Sequence, residues 1–126
     1  MRRTMTLREI CGMLNVSRRV IQGYEKTGLV RMSGRNKYGH LLYEGETVDR
    51  IVFIRFCQKI GFELKQIREF IDLPAKEIGK ILEGRKEVMK EEMEKQKERC
   101  ELMEEMIRDP FSRELKERIL RNIKED

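Results

Sequence analysis

The stretch TLREICGMLNVSRRVIQGYE, residues 6–25, decides the fold. Thr6 followed by Glu9 forms a capping box: the Thr6 side chain accepts from the backbone of the third helical residue, and Glu9 reaches back to the Thr6 amide. A helix therefore begins at Leu7, with Leu7, Ile10, Cys11 and Leu14 at the spacing of one buried face. Asn15 tolerates the left-handed conformation of a tight turn and ends that helix. Val16 bridges to Ser17, a second N-cap residue, and a short helix follows with Arg18, Arg19, Val20, Ile21, Gln22, Gly23, Tyr24 and Glu25. Two short helices joined by such a turn have the helix-turn-helix layout, the second being the recognition helix.

Downstream, turn formers alternate with hydrophobic residues: Gly28-Leu29-Val30, then Ser33 to Gly39, then Leu41-Leu42-Tyr43. This pattern predicts a small β-hairpin whose tip, Arg35 to Lys37, is basic and suited to a wing against a phosphate backbone. A third helix is expected over Thr47–Ile60, well buried through Val48, Ile51, Val52, Ile54, Phe56 and Ile60, before Gly61 breaks the pattern. Leu64, Ile67, Phe70 and Ile71 predict a fourth, ending near Leu73-Pro74 because proline disfavours helix in the residue before it.

Beyond Pro74 long charged runs are interrupted by single apolar residues. Leu82, Met89, Met93, Gln96, Cys100, Met103 and Ile107 step as a heptad seam, with Lys86 at the one position skipped. A helix over 75–108 would be roughly 50 Å long at about 1.5 Å per residue, and its seam calls for a partner helix. Asp109-Pro110 ends it. Ser112 can cap a last amphipathic helix with Leu115, Ile119, Leu120 and Ile123, expected to fold back on the long one. The expected organisation is a mainly α chain: a winged helix-turn-helix domain at 1–74, a coiled-coil dimerisation helix at 75–108 and a short C-terminal helix at 109–126.

Charge sharpens the functional expectation. The 126 residues carry a net charge of +5, yet residues 1–45 hold nine Lys/Arg against three Asp/Glu, so the whole positive excess sits in the N-terminal third. A one-sided basic surface is the electrostatic footprint of a polyanion binder, whose phosphate contacts release counterions. With 39% hydrophobic and 6% aromatic residues the chain can build a modest core but no large enclosed active site. No Ser/His/Asp set, paired catalytic carboxylates, metal-ligand spacing or glycine-rich phosphate loop is present, which argues against an enzyme and gives no reason to expect a cofactor or metal. No apolar run follows the basic N-terminus and no stretch is long enough to cross a bilayer, so a cytoplasmic protein without a membrane partner is expected. Cys11, Cys57 and Cys100 are far apart and unpaired in sequence, as reduced thiols are. Cys11 and Cys57 read as core thiols, and Cys100, on the seam, as a small packing residue rather than a redox switch.

From Met5 through Leu73 the residues resemble the MerR family of winged-helix transcription regulators. The resemblance is carried by Thr6-Leu7-Arg8-Glu9-Ile10, Asn15-Val16-Ser17, Tyr24-Glu25 with Gly28-Leu29, Arg35, the Gly39–Tyr43 segment, Phe53-Ile54, and Gly61-Phe62-Glu63-Leu64-Lys65-Gln66-Ile67. It implies a homodimer joined by an antiparallel coiled coil, with two recognition helices in successive major grooves of a pseudo-palindromic promoter site. Regulation would come from bending and untwisting the DNA, an indirect readout with RNA polymerase as a further partner. The DNA-contacting set this implies is Thr6, Ser17, Arg18, Arg19, Gln22 and Tyr24, with Arg35, Asn36, Lys37, Tyr38 and His40 of the wing; Tyr43 is assigned to packing.

The sequence departs from the family at informative places. Val20, Gln22 and Gly23 stand where the family usually has Thr, Arg and an aromatic, so the target site does not carry over. Gln22 can read adenine in bidentate fashion, and Arg18 and Arg19 can contact guanine or phosphate. Gly23 marks either close approach of another backbone or a weak spot in the helix. Gly39-His40-Leu41 replaces the family's Gly-Tyr-Arg, leaving Arg35, Lys37 or His40 to supply the lost phosphate contact. Where metal- and redox-sensing relatives place several cysteines, only Cys100 is found, and the roughly sixteen residues after Pro110 leave no room for a ligand-binding domain. The rival functions are an excisionase-like architectural factor, and a coiled-coil interaction module whose basic head is incidental.

Overall fold

The computed structural model describes residues 3–125 and contains six helices and three short strands among them. Strand β1 (Met5–Thr6) runs straight into α1 (Leu7–Leu14). The capping box forms at this junction: Thr6 Oγ1 accepts from the Glu9 amide at 3.1 Å, and Glu9 Oε1 accepts from the Thr6 amide at 3.0 Å. Asn15 closes α1 at φ 53°, the left-handed conformation its side chain tolerates, and the Val16 amide then donates to the Cys11 carbonyl.

Helix α2 (Arg18–Lys26) starts from Ser17, whose backbone sits at the N-cap but whose hydroxyl makes no capping bond. Its inward face is Ile21 and Tyr24, both at most 1% exposed. The helix ends where Thr27 Oγ1 donates to the Gly23 and Tyr24 carbonyls, and Gly28 takes φ 77° so that the Leu29 amide can reach the Tyr24 carbonyl.

The hairpin exists as β2 (Gly34–Arg35) and β3 (Leu41–Tyr43), but the sheet has a third member that sequence patterning missed. Its order is β1-β3-β2, antiparallel throughout, with Met5 opposite Tyr43 and Arg35 opposite Leu41. The wing is thereby fastened to the segment that launches α1. At the hairpin tip Asn36 Oδ1 accepts from the amides of Tyr38 (2.9 Å) and His40 (3.0 Å), and Gly39 takes φ 80°.

Helix α3 (Gly45–Lys59) buries Val48, Ile51, Ile54 and Cys57, a stripe at helical spacing. Val52 and Phe56, expected in the core, are instead 41% and 61% exposed, because they point away from that stripe. Gly61 at φ 102° turns the chain into α4 (Leu64–Phe70), whose Ile67 and Phe70 complete the core; Phe70 meets Phe53 and Phe62 edge-on. Arg50 fastens three segments, donating from Nε to the Leu29 carbonyl (2.6 Å) and forking onto Asp72 (2.8 and 3.3 Å).

The chain forms two compact units that divide between Ile78 and Gly79, inside the long helix α5 (Ala75–Arg108). In the second unit α6 (Arg113–Lys124) folds back on α5. Leu102 and Leu115 are the buried apolar residues of its small core, Arg99 Nε donates to the buried Asn122 side chain at 3.1 Å, and Arg118 pairs with Glu105. No helix among the described residues is long and apolar enough to cross a membrane.

Candidate nucleic-acid interface

Burial of Ile21 and Tyr24 turns the opposite side of α2 outward, leaving Arg18, Arg19 and Gln22 exposed and Val20 half-buried. Two guanidiniums and a carboxamide thus stand on the outer face of one helix, the donor set that reads base edges and grips phosphates. Ser17 is exposed at the start of this face.

The wing lies at the α1 end of α2. Arg35, Lys37, Tyr38 and His40 are exposed, and Asn36 is half-buried with its carboxamide oxygen committed to the turn. Lys37 Nζ lies 5.0 Å from the Tyr38 ring centroid, and the Tyr38 and His40 rings are 6.1 Å apart. Arg35 Nη1 donates to the Gly39 carbonyl at 2.7 Å, so its guanidinium is held against the hairpin turn.

Between wing and helices opens a cleft of about 460 Å³ lined by Thr6, Leu7, Arg8, Cys11, Arg18, Arg35, Gly39, His40 and Leu41. The Thr6 side chain lines it while acting as the helix cap. Arg8 was not among the residues expected from sequence. It is one exposed cation in an amphipathic helix, and only folding brings it into one cleft with Arg18 of α2 and Arg35 and His40 of the wing. Burial raises the Cys11 thiol above its usual value, with Arg18 pulling the other way, so this is not an activated nucleophile.

One expected contact is corrected. Tyr24 is 1% exposed, and its hydroxyl donates to Gln58 Oε1 at 2.5 Å, so the side chain is spent inside the head rather than turned to a partner. Tyr43 is fully buried with its hydroxyl on Glu25; burial first, then Glu25, push that phenol well above its usual range. The cysteines are dispersed: Cys11 half-buried, Cys57 buried and Cys100 exposed on α5.

On α5 the seam residues differ in exposure. Leu82 and Met89 are half-buried, whereas Met93 (69%), Gln96, Cys100, Met103 (53%) and Ile107 (83%) stand exposed, because α6 covers the neighbouring Leu102 face instead.

Comparison with known proteins agrees with this geometry. The family described as MerR HTH family regulatory protein matches residues 5–73, and a second, described as MerR, DNA binding, matches residues 48–109. The nodulation protein NolA of Bradyrhizobium sp. (strain NC92) is 37% identical over 71 residues, covering 56% of this chain and 30% of NolA. The HTH-type transcriptional activator mta of Bacillus subtilis (strain 168) is 30% identical over 101 residues, covering 80% of this chain and 37% of mta. This chain therefore spans well under half the length of these two curated relatives. Among solved structures, HiNmlR, a MerR family regulator lacking the sensor domain and bound to promoter DNA, shares the fold: TM-score 0.68 at 21% identity, covering 83% of this chain and 84% of that one.

Proposed function

We propose, from the premise that this chain belongs to the MerR family of helix-turn-helix regulatory proteins, that it is a transcription regulator acting on duplex DNA. The observation that carries this is the outward face of α2, where Arg18, Arg19 and Gln22 stand exposed and Arg18 shares a cleft with Arg35 of the wing, whose Lys37 is exposed as well. Ser17, Asn36, Tyr38 and His40 complete the surface, with Thr6 at its edge. In this reading α2 enters the major groove and the wing rides on the adjoining backbone.

Two copies act together, joined through the exposed stripe of α5 that runs from Met93 to Ile107. A long helix exposing Met93, Met103 and Ile107 in heptad register is what a coiled-coil partner covers. The dimer straddles a pseudo-palindromic promoter site in the cytoplasm and controls transcription by distorting it for RNA polymerase. The domain division at Pro74 belongs to the same proposal: residues 1–74 grip DNA, 75–108 dimerise, and 109–126 brace the long helix.

A gel-shift titration against salt, on a site selected from random DNA, tests this function. Binding should weaken steeply as salt rises, with a slope of about −0.9 per phosphate contact. Absence of binding even at low salt overturns it and leaves α5 as the working part of an interaction module.

A further inference from the structure

Three guanidiniums from three separate segments share the cleft between α1, α2 and the wing: Arg8 from α1, Arg18 from the first turn of α2 and Arg35 from β2, with His40 beside them. No carboxylate lines it. Four other clefts among the described residues differ from it, since each is edged by acids: Glu105 and Asp109 in one, Glu46 and Asp49 in a second, Glu25 and Asp72 in a third, Glu94 and Glu98 in a fourth. Like charges gathered without a counter-charge repel one another, and an anion seated among them turns that repulsion into charge-assisted hydrogen bonds. Arginine forks match the paired oxygens of a phosphate. The first-turn positions of Arg8 and Arg18 add the positive ends of two helices to the same space.

We infer that this cleft is the seat of one backbone phosphate of duplex DNA, gripped by Arg8 and Arg18 from the helices and by Arg35 and His40 from the wing. The inference rests on the DNA-binding reading above and extends it by making Arg8 a binding residue and by giving four side chains one common ligand. A phosphodiester is favoured over a free anion because Arg18 belongs both to the cleft and to the exposed face of α2 that carries Arg19 and Gln22: a strand whose phosphate sits here presents its bases to that face. Leu41 lies in the same cleft and supplies no charge, so the helices deliver from behind what the wing lacks at that position. Cys11 also lines the cleft, so its thiol can report on whether the cleft is filled.

The test uses the full chain and a duplex carrying its selected site. Arg8→Ala should flatten the salt dependence of binding by about one unit of log–log slope, on preferred and random DNA alike, with Arg8→Lys restoring most of it. Lys116→Ala, on the outer face of α6, should change nothing. A second readout needs no variant. N-ethylmaleimide, whose double bond takes the thiolate sulfur on one carbon and a proton on the other, is followed at the Cys11 peptide by mass spectrometry. Duplex DNA should slow this alkylation, and protein already alkylated at Cys11 should lose affinity. If the wild type binds DNA but Arg8→Ala and Arg18→Ala keep its slope, and DNA leaves Cys11 alkylation unchanged, the seat is overturned while the DNA-binding reading stands. Protection of Cys11 by inorganic phosphate alone, at matched ionic strength, overturns the duplex as its occupant. A wild type that binds no DNA removes both readings.

Discussion

The Tyr24 hydroxyl donates to Gln58 Oε1 across 2.5 Å, and Arg55 Nη1 approaches the same oxygen at 3.3 Å, so the last turn of the recognition helix is bolted to α3. Tyr24→Phe keeps the ring buried and removes only the bolt. It should lower stability by about 1 kcal/mol in urea unfolding and leave affinity for the preferred DNA site unchanged. Unchanged stability with much weaker DNA binding would return this hydroxyl to the interface.

What was legible in the sequence was local. The Thr6–Glu9 capping box, the left-handed Asn15 and the span of the long helix are each set by neighbours within a few residues, and each has the expected form. Strand β1 was not legible: Met5-Thr6 has no alternation of its own and becomes a strand only by pairing with β3. Tyr24 was misassigned although the signal was present, since it lies three residues after Ile21 and so shares its buried face. Arg8 was missed for the opposite reason, because its neighbours Arg35 and His40 arrive only when the wing folds. Along α5 the periodicity was readable, but nothing local said that Leu102, off the seam, would be taken by α6.

Arg50 and Asp72 should make a small, pH-dependent contribution. The hydrogen bond from Arg50, and then its charge, hold the Asp72 carboxyl below its usual value. A group whose folded pKa is depressed stabilises above its unfolded value, near 3.9, and that stabilisation is lost as pH falls through the folded value. Asp72 is largely exposed, so Asp72→Asn should cost less than about 1 kcal/mol at neutral pH and flatten part of the stability–pH curve below about pH 4. Some slope should persist, because the Thr6 amide also holds Glu9 low. Denaturant melts across acidic pH check this, and an unaltered curve for Asp72→Asn would break the link.

Ile107 is 83% exposed on α5, so a polar replacement there should scarcely disturb the folded chain. If it anchors a second copy, Ile107→Glu should raise the dimer dissociation constant by at least about tenfold, since burying such a side chain is worth about 1.5–3 kcal/mol. Sedimentation velocity across a concentration series measures it. A wild type that is monomeric at micromolar concentration, or a variant that dimerises equally well, removes the seam from the interface.

Arg19 and Lys37 should separate base reading from backbone grip. Arg19 projects from the exposed face of α2, and Lys37 sits at the tip of the wing. Arg19→Ala should weaken binding to the preferred site by about 1–3 kcal/mol while scarcely altering random DNA, whereas Lys37→Ala should weaken both alike. Equal losses on both duplexes for Arg19→Ala would move it to the phosphate set.

Gly23 decides between two meanings of a glycine inside a recognition helix. A Cβ built on it meets nothing within 4 Å, and its backbone is not in the left-handed region, so no close approach within the folded chain demands glycine there. The remaining effect is entropic: glycine loses more freedom on folding than alanine does. Gly23→Ala should therefore raise stability by about 0.5–1 kcal/mol, read as a higher urea midpoint at constant m-value. The exposed readers Arg18, Arg19 and Gln22 are untouched by the added methyl, so affinity for the preferred site should hold. A more stable variant that binds this site much more weakly would show that the duplex itself comes close enough to require the missing side chain.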